Sequence, residues 1–234
     1  MTNFAQNIAA FENIKAKPKA IIFDWDNTLA DTWPLIHRAL NKALTAFGKE
    51  EWNLDKVKNT IHKSMRESFP NLFGNDWERA GKIYIDSYAH DHLQHLKLLP
   101  GTMDLLKAMK EKNIPAFLVS NKIGTTLRKE INNLELNDYF YSVIGAMDAD
   151  TDKPNTDPVE LALKGFDYAL NDKDIWFIGD TIADIDCGIN CGFTAIGFSD
   201  DSNFVSQSIV ERLDQEKYEN LPIFFNLDDL KNKL

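Results

Sequence analysis

With 234 residues, 44% hydrophobic and 26% charged, the chain can bury one substantial core and has an ordinary globular composition, which excludes disordered and fibrous classes. Lysine and arginine number 26 against 36 aspartates and glutamates, and the formal charge of -10 repels a nucleic-acid backbone. A small phosphorylated ligand stays admissible, because a metal ion and one or two lysines reverse the field locally.

The first seventeen residues carry Phe4, Ile8, Phe11 and Ile14 near a helical period, without the cationic start and apolar run of a signal peptide. They are expected to pack on the surface of the body. No stretch approaches the roughly 18 apolar residues of a membrane span, which predicts a soluble protein without a membrane partner. A first buried strand is predicted over 20–23. The interval 32–98 that follows is too long for one crossover helix and predicts an inserted helical domain, with 1–31 and 99–234 forming the core. The insertion opens with Asp31 or Thr32 as cap, Pro34 in the first turn and a stripe of Ile36, Leu40, Ala43, Leu44 and Phe47 that stops at Gly48. A longer helix is predicted over about 77–92, and the chain returns through Leu98-Leu99-Pro100-Gly101, a turn suited to a hinge.

Further strands are predicted over 116–119, 142–145, 175–178 and 194–197. Between them, Met103/Leu106/Met109, Leu127/Ile131/Leu134 and Val159/Leu163/Phe166 mark helices, so the body is a repeated βα array. The fold class is therefore α/β, a doubly wound parallel sheet with an inserted α-helical domain. Cys187 and Cys191 are too few for a disulfide framework or a thiolate metal site. They read as small packing residues in a reducing cytoplasm rather than as a redox pair.

Open α/β sheets bind ligands beyond the carboxyl ends of their strands. Here those ends carry Asp24 and Asp26, then Ser120 and Asn121, then a lead to Lys153, then Gly179 and Asp180, with Asp184 one turn later. Four aspartates in one crevice repel one another unless a cation compensates. Oxygen donors without a convergent His or Cys point to Mg²⁺ as cofactor.

In Asp24-Trp25-Asp26-Asn27-Thr28, Val119-Ser120-Asn121-Lys122, Lys153-Pro154 and Gly179-Asp180-Thr181-Ile182-Ala183-Asp184, the sequence resembles the haloacid dehalogenase superfamily. It is close to the phosphoglycolate phosphatase-like branch with a helical cap and a Rossmann-like core. The resemblance covers nearly the whole chain. It implies that Asp24 is the nucleophile that becomes an aspartyl phosphate and also a metal ligand. It implies that Asp26 protonates the leaving oxygen, later activates water, and ligates the metal through its carbonyl. Ser120, the N–H of Asn121 and Lys153 would hold phosphate. Asp180 would bind metal directly, and Asp184 would hold a metal-bound water or orient Lys153. Asp26 also separates the chain from dehalogenases and phosphonate-cleaving relatives, which carry another residue there.

Two positions depart from the family pattern. Asn27 stands where Gly is usual, but Asn tolerates the backbone conformations that Gly permits. Trp25 replaces a smaller apolar residue and is expected to alter substrate access. His90, His92 and His95 read as a solvated helix end, and Lys122 as a surface residue at a helix start. His62, Lys63 and Arg66 occupy the family's specificity-loop position, where they either meet an anionic substrate group or form an exposed basic turn. The reading is a cytoplasmic phosphomonoesterase acting on a small phosphorylated metabolite, with phosphoglycolate as candidate. A sugar-phosphate mutase and a non-catalytic phosphate-binding regulator are its rivals.

Overall fold

The computed structural model describes residues 2–14, 17–61, 63–169, 171–200, 207–213, 215–218 and 220–234. Helix α1 (Thr2–Glu12) precedes strand β1 (Ala20–Phe23). Two short strands, β2 (Ala30–Asp31) and β3 (Lys97–Leu98), bracket the insertion of α2 (Trp33–Ala46), α3 (Leu54–Thr60), α4 (Met65–Phe73) and α5 (Trp77–His95). The body continues through α6 (Thr102–Glu111), β4 (Ala116–Ile123), α7 (Gly124–Asn133), β5 (Phe140–Ala146) and α8 (Asp157–Ala162). It ends with β6 (Ile175–Gly179), α9 (Ile182–Asn190), β7 (Thr194–Phe198), α10 (Gln207–Val210), β8 (Ile223–Phe224) and α11 (Leu227–Lys233).

The sheet runs β5-β4-β1-β6-β7-β8, with each neighbouring pair parallel. Counted within the sheet alone, this is the 3-2-1-4-5-6 order of a doubly wound Rossmann-like fold. Side chains alternate across each strand, so every central strand feeds two cores. Ile21, Phe23, Leu118, Trp176 and Ile178 face one of them, covered by α6, α7 and α11 through Leu105, Leu127 and Leu230. Ala20, Ile22, Phe117, Val119 and Phe177 face the other, covered by α8 and α9 through Val159 and Cys187. Burial on both faces is why these strands are continuous apolar runs. Each buried Phe, Leu or Ile contributes about 1.5–3 kcal/mol.

The predicted strands are all present, the first as predicted and the other four longer by one to four residues. The extension of β4 to Ile123 draws Ser120, Asn121 and Lys122 into the strand. The β2, β3 and β8 pairs escape prediction because two residues are too few to show a period. Helix α8 stops short of its stripe, since Gly165 at φ +85° ends the following turn, yet Leu163 and Phe166 still pack in the same core. The N-terminal helix docks as expected, with Phe11 stacked on Phe224 at 4.8 Å and Asn7 Nδ2 donating to the Leu221 carbonyl at 2.8 Å. Both cysteines are buried packing residues, and Cys187 Sγ lies 3.3 Å from the Asn155 carbonyl.

The chain leaves and re-enters the body through the antiparallel pairing of β2 with β3, Ala30 opposite Leu98 and Asp31 opposite Lys97. Within the insertion, α2 packs on α5, burying Leu40, Ala43 and Leu44 against Ala80 and Tyr88. An aromatic file runs from Phe73 through Phe69, Tyr84 and Tyr88 to His92, with neighbouring centroids 5.1–6.1 Å apart. Among the described residues, no helix is long and apolar enough to cross a membrane.

Candidate active site

The direction of winding reverses between β1 and β6, and a crevice opens there beyond the strands' carboxyl ends. The Asp24 N–H donates to the Ile178 carbonyl at 2.9 Å, which carries the β1 pairing one residue further and leaves the Asp24 carboxylate at the crevice floor. A tight loop follows, in which the N–H groups of Leu29 and Ala30 both donate to the Trp25 carbonyl at 3.1 Å. Asn27 adopts φ +59° in that loop. Its Oδ1 accepts from the N–H groups of Thr32 and Trp33 at 3.2 and 3.1 Å, capping α2. Asparagine thus supplies both the left-handed turn and an anchor that glycine lacks.

Lys153 reaches this floor from the loop after β5. The Asn121 side chain holds its backbone by two bonds, Oδ1 accepting from Lys153 N–H at 3.0 Å and Nδ2 donating to Lys153 C=O at 3.1 Å. Its ammonium donates to Asp24 Oδ1 at 2.6 Å, to Asp184 Oδ1 at 2.6 Å and to the Val119 carbonyl at 2.7 Å. Asp184 Oδ2 accepts from Thr181 N–H at 2.9 Å and Oγ1 at 2.6 Å, so one carboxylate caps α9 and grips the lysine. Gly179 permits that approach, since a Cβ there would stand 2.3 Å from Asp184 Cγ. Ser120 is buried at the same floor, its Oγ accepting from Lys122 N–H at 3.3 Å.

Asp24, Asp180 and Asp184 each bring a carboxylate oxygen within 4.8 Å of the others. Burial first, then Asp184 and Asp26, pushes the Asp24 carboxyl up to about 7 against the pull of Lys153. Burial, Asp184 and Asp24 likewise drive Asp180 well above the carboxylate range. Against its own burial, the Asp184 and Asp24 charges hold Lys153 above its ordinary value. Both partners rise because negative charge is in surplus: among the described residues at the floor, Asp24, Asp26, Asp180 and Asp184 outnumber Lys122 and Lys153. Clustered oxygen donors with unbalanced charge fit a hard divalent cation.

Two residues read as solvated are buried. Lys122 is 7% exposed, and its ammonium donates to Asp26 Oδ1 at 2.6 Å, Tyr88 Oη at 2.6 Å and Glu130 Oε2 at 2.9 Å. Glu130 is wholly buried on α7 and also bonds Trp25 Nε1 at 2.6 Å and His92 Nδ1 at 2.7 Å. These partners hold Glu130 below the carboxylate range although burial alone would raise it. His92 is buried because it follows Tyr84 and Tyr88 at intervals of four on one helical stripe, whereas His90 and His95 are exposed. That spacing was a readable signal, as was an acid at Glu130 within the Leu127/Ile131 apolar stripe.

Trp25 stands apart from the crevice. It is fully buried, is spent on Glu130 and is not among the residues lining the crevice. From the insertion, Lys63 lines the exposed rim. Arg66 turns instead to the buried Asp152, to which its Nε donates. His62 lies outside the described residues.

The model of the haloacid dehalogenase-like hydrolase family matches residues 21–198. Phosphoglycolate phosphatase 1 of Pseudomonas aeruginosa is 24% identical over 196 residues, 78% of this chain and 71% of that protein. The phosphoglycolate phosphatase of Aquifex aeolicus is 29% identical over 176 residues, 74% and 81% of the two chains, and a pyrophosphatase of Halalkalibacterium halodurans is 25% identical over 175, 74% and 79%. Among solved structures, a hydrolase of the same superfamily from Ehrlichia chaffeensis covers 93% of this chain and 96% of its own, with 30% identity and a TM-score of 0.61. A putative phosphoglycolate phosphatase from Lactobacillus delbrueckii shares the fold at a TM-score of 0.78 with 21% identity, covering 92% and 98%. Fold and site define an α/β hydrolase with an acidic strand-end centre, and the chain belongs to the haloacid dehalogenase-like hydrolase family. Within that family it stands in the phosphatase branch, among enzymes of phosphoric monoesters.

Proposed function

We propose that this chain is a Mg²⁺-dependent phosphomonoesterase of the cytoplasm, hydrolysing a small phosphorylated metabolite through an aspartyl phosphate on Asp24. The observation that carries the reading is Asp24 held at 2.6 Å by Lys153 within a cluster of carboxylates at the sheet's switch point. Asp24, Asp180 and the Asp26 carbonyl would hold Mg²⁺, which when bound would neutralise charge at the phosphoryl oxygens. Lys153 and Asp184 aim the Asp24 carboxylate, and the crevice orients the ester for attack on phosphorus. Ser120 Oγ and the Asn121 N–H receive the equatorial oxygens, while the Lys153 ammonium, whose three N–H groups are on Asp24, Asp184 and the Val119 carbonyl, attracts them by its charge. Asp26 has Oδ1 on Lys122, and Oδ2 is the atom that delivers a proton to the leaving alcohol and later takes one from water.

Residues 32–98 serve as a cap that excludes bulk water, carrying Lys63 at the rim. Phosphoglycolate, after which several relatives are named, is the first ester to try. The mutase reading draws no support, since those relatives are named as hydrolases. Orthophosphate release from p-nitrophenyl phosphate with Mg²⁺, lost in Asp24→Asn, tests the proposal. An intact protein without such activity sinks it.

A further inference from the structure

Resting on the reading of Asp24 as nucleophile, we infer that the leaving group is an uncharged, predominantly apolar alcohol rather than an anion such as glycolate. The crevice has two unlike ends. Its floor is the charged strand-end cluster, whereas its roof is mostly apolar, with Trp33, Ile36, Leu40, Met65, Phe69 and Tyr84 from α2, α4 and α5 beside Ser68 and the rim residue Lys63.

A second anion on the substrate needs a cation near the ester oxygen, and among the described residues the two lysines at the floor are already paired. The Lys153 ammonium makes three bonds, to Asp24, Asp184 and the Val119 carbonyl. Lys122 serves Asp26, Glu130 and Tyr88. Arg66 is bound to Asp152 and does not line the crevice, and Lys63 sits exposed at the rim. The glycolate carboxylate lies two bonds from the ester oxygen, so it would meet Asp26 on one side and apolar side chains on the other. An unpaired charge there loses its hydration without recompense. An apolar alcohol instead covers the roof, where Phe69 and Tyr84 stand edge to face at 5.4 Å and Tyr84 and Tyr88 are 6.1 Å apart, a setting for an aromatic ring.

Calorimetric titration with Mg²⁺ compares two non-hydrolysable phosphonates, 2-phenylethylphosphonate and 3-phosphonopropionate, in which a methylene replaces the ester oxygen of benzyl phosphate and phosphoglycolate. The phenyl compound is expected to bind at least about tenfold more tightly. For alkyl phosphates from ethyl to pentyl, kcat/KM should rise about fourfold per methylene while the roof is being covered. Met65→Lys should move the phosphonate ratio toward phosphonopropionate, a ratio insensitive to the fraction of protein folded. Tighter or equal binding of phosphonopropionate, or a flat alkyl series, overturns the inference. Turnover retained in Asp24→Asn overturns the nucleophile reading instead, and the binding preference is measured independently of it.

Discussion

Two buried lysines flank the crevice floor, and each bridges two carboxylates at hydrogen-bond distance. Lys153 joins Asp24 to Asp184, and Lys122 joins Asp26 to Glu130. The Lys153 set is internal to the body: Asp24 follows β1, Val119 is in β4, Asp184 is on α9, and Lys153 comes from the loop after β5. The Lys122 set also includes Tyr88 and His92 from α5, so it is completed only when the insertion lies against the body. The same charge motif therefore lies within the body in one place and joins insertion to body in the other. The bridging acids have opposite roles in the proposed chemistry: Asp24 attacks phosphorus, while Asp26 moves protons.

The sharpest way to break the comparison is Asp24→Asn, which keeps the shape and removes the nucleophile. Phosphate release should fall at least about a thousandfold, and persistent turnover would falsify the assignment. Next in size, Lys153→Met should lower kcat on the order of 10²- to 10³-fold. It also leaves Asp24 and Asp184 buried without their cation, a loss of about 3–5 kcal/mol. Thermal unfolding without metal checks this, and added Mg²⁺ should recover part of the stability.

Glu130→Gln tests the second lysine set, with an expected loss of about 1–3 kcal/mol in stability. If Lys122 and Glu130 position Asp26, the rate with an alkyl phosphate should drop about tenfold more than with p-nitrophenyl phosphate, whose leaving group needs no proton. Equal losses on both substrates would reduce Glu130 to a packing role.

The smallest effect belongs to an exposed pair that serves as reference. Arg128 binds Asp148 through Nη1 at 2.5 Å and Nη2 at 3.0 Å, and the Gly145 N–H donates to the same carboxylate at 2.8 Å. Although burial acts to raise it, Asp148 is held below its ordinary value by the Arg128 bonds and the Gly145 N–H. Its contribution is therefore present above the unfolded carboxyl range and lost as pH falls through the folded value. Asp148→Asn should cost only about 0.5–1 kcal/mol at neutral pH. Denaturant curves of mutant and wild type should converge below about pH 4; a gap unchanged at low pH would break the assignment.

The two lysines also mark how far the sequence could be read. Asp24, Ser120, Lys153, Asp180 and Asp184 were legible because a parallel α/β sheet places strand-end residues together, and apolar runs identify strand ends. Lys122 and His92 read as solvated because their shared partner Glu130 lies on α7, apart from β4 and α5, so neither local pattern shows the pairing. Trp25 was misjudged for the same reason, its indole being turned to Glu130 rather than to the crevice.

By itself the sequence determined the order of the longer strands and helices and put acids at the strand ends, because these follow from local periodicity and from a topology with few alternatives. Only the tertiary structure decided which cations are already paired, where Arg66 points and that an apolar roof faces a charged floor. Those outcomes depend on desolvation and charge pairing between segments distant in the chain, and such energies arise only once the segments meet.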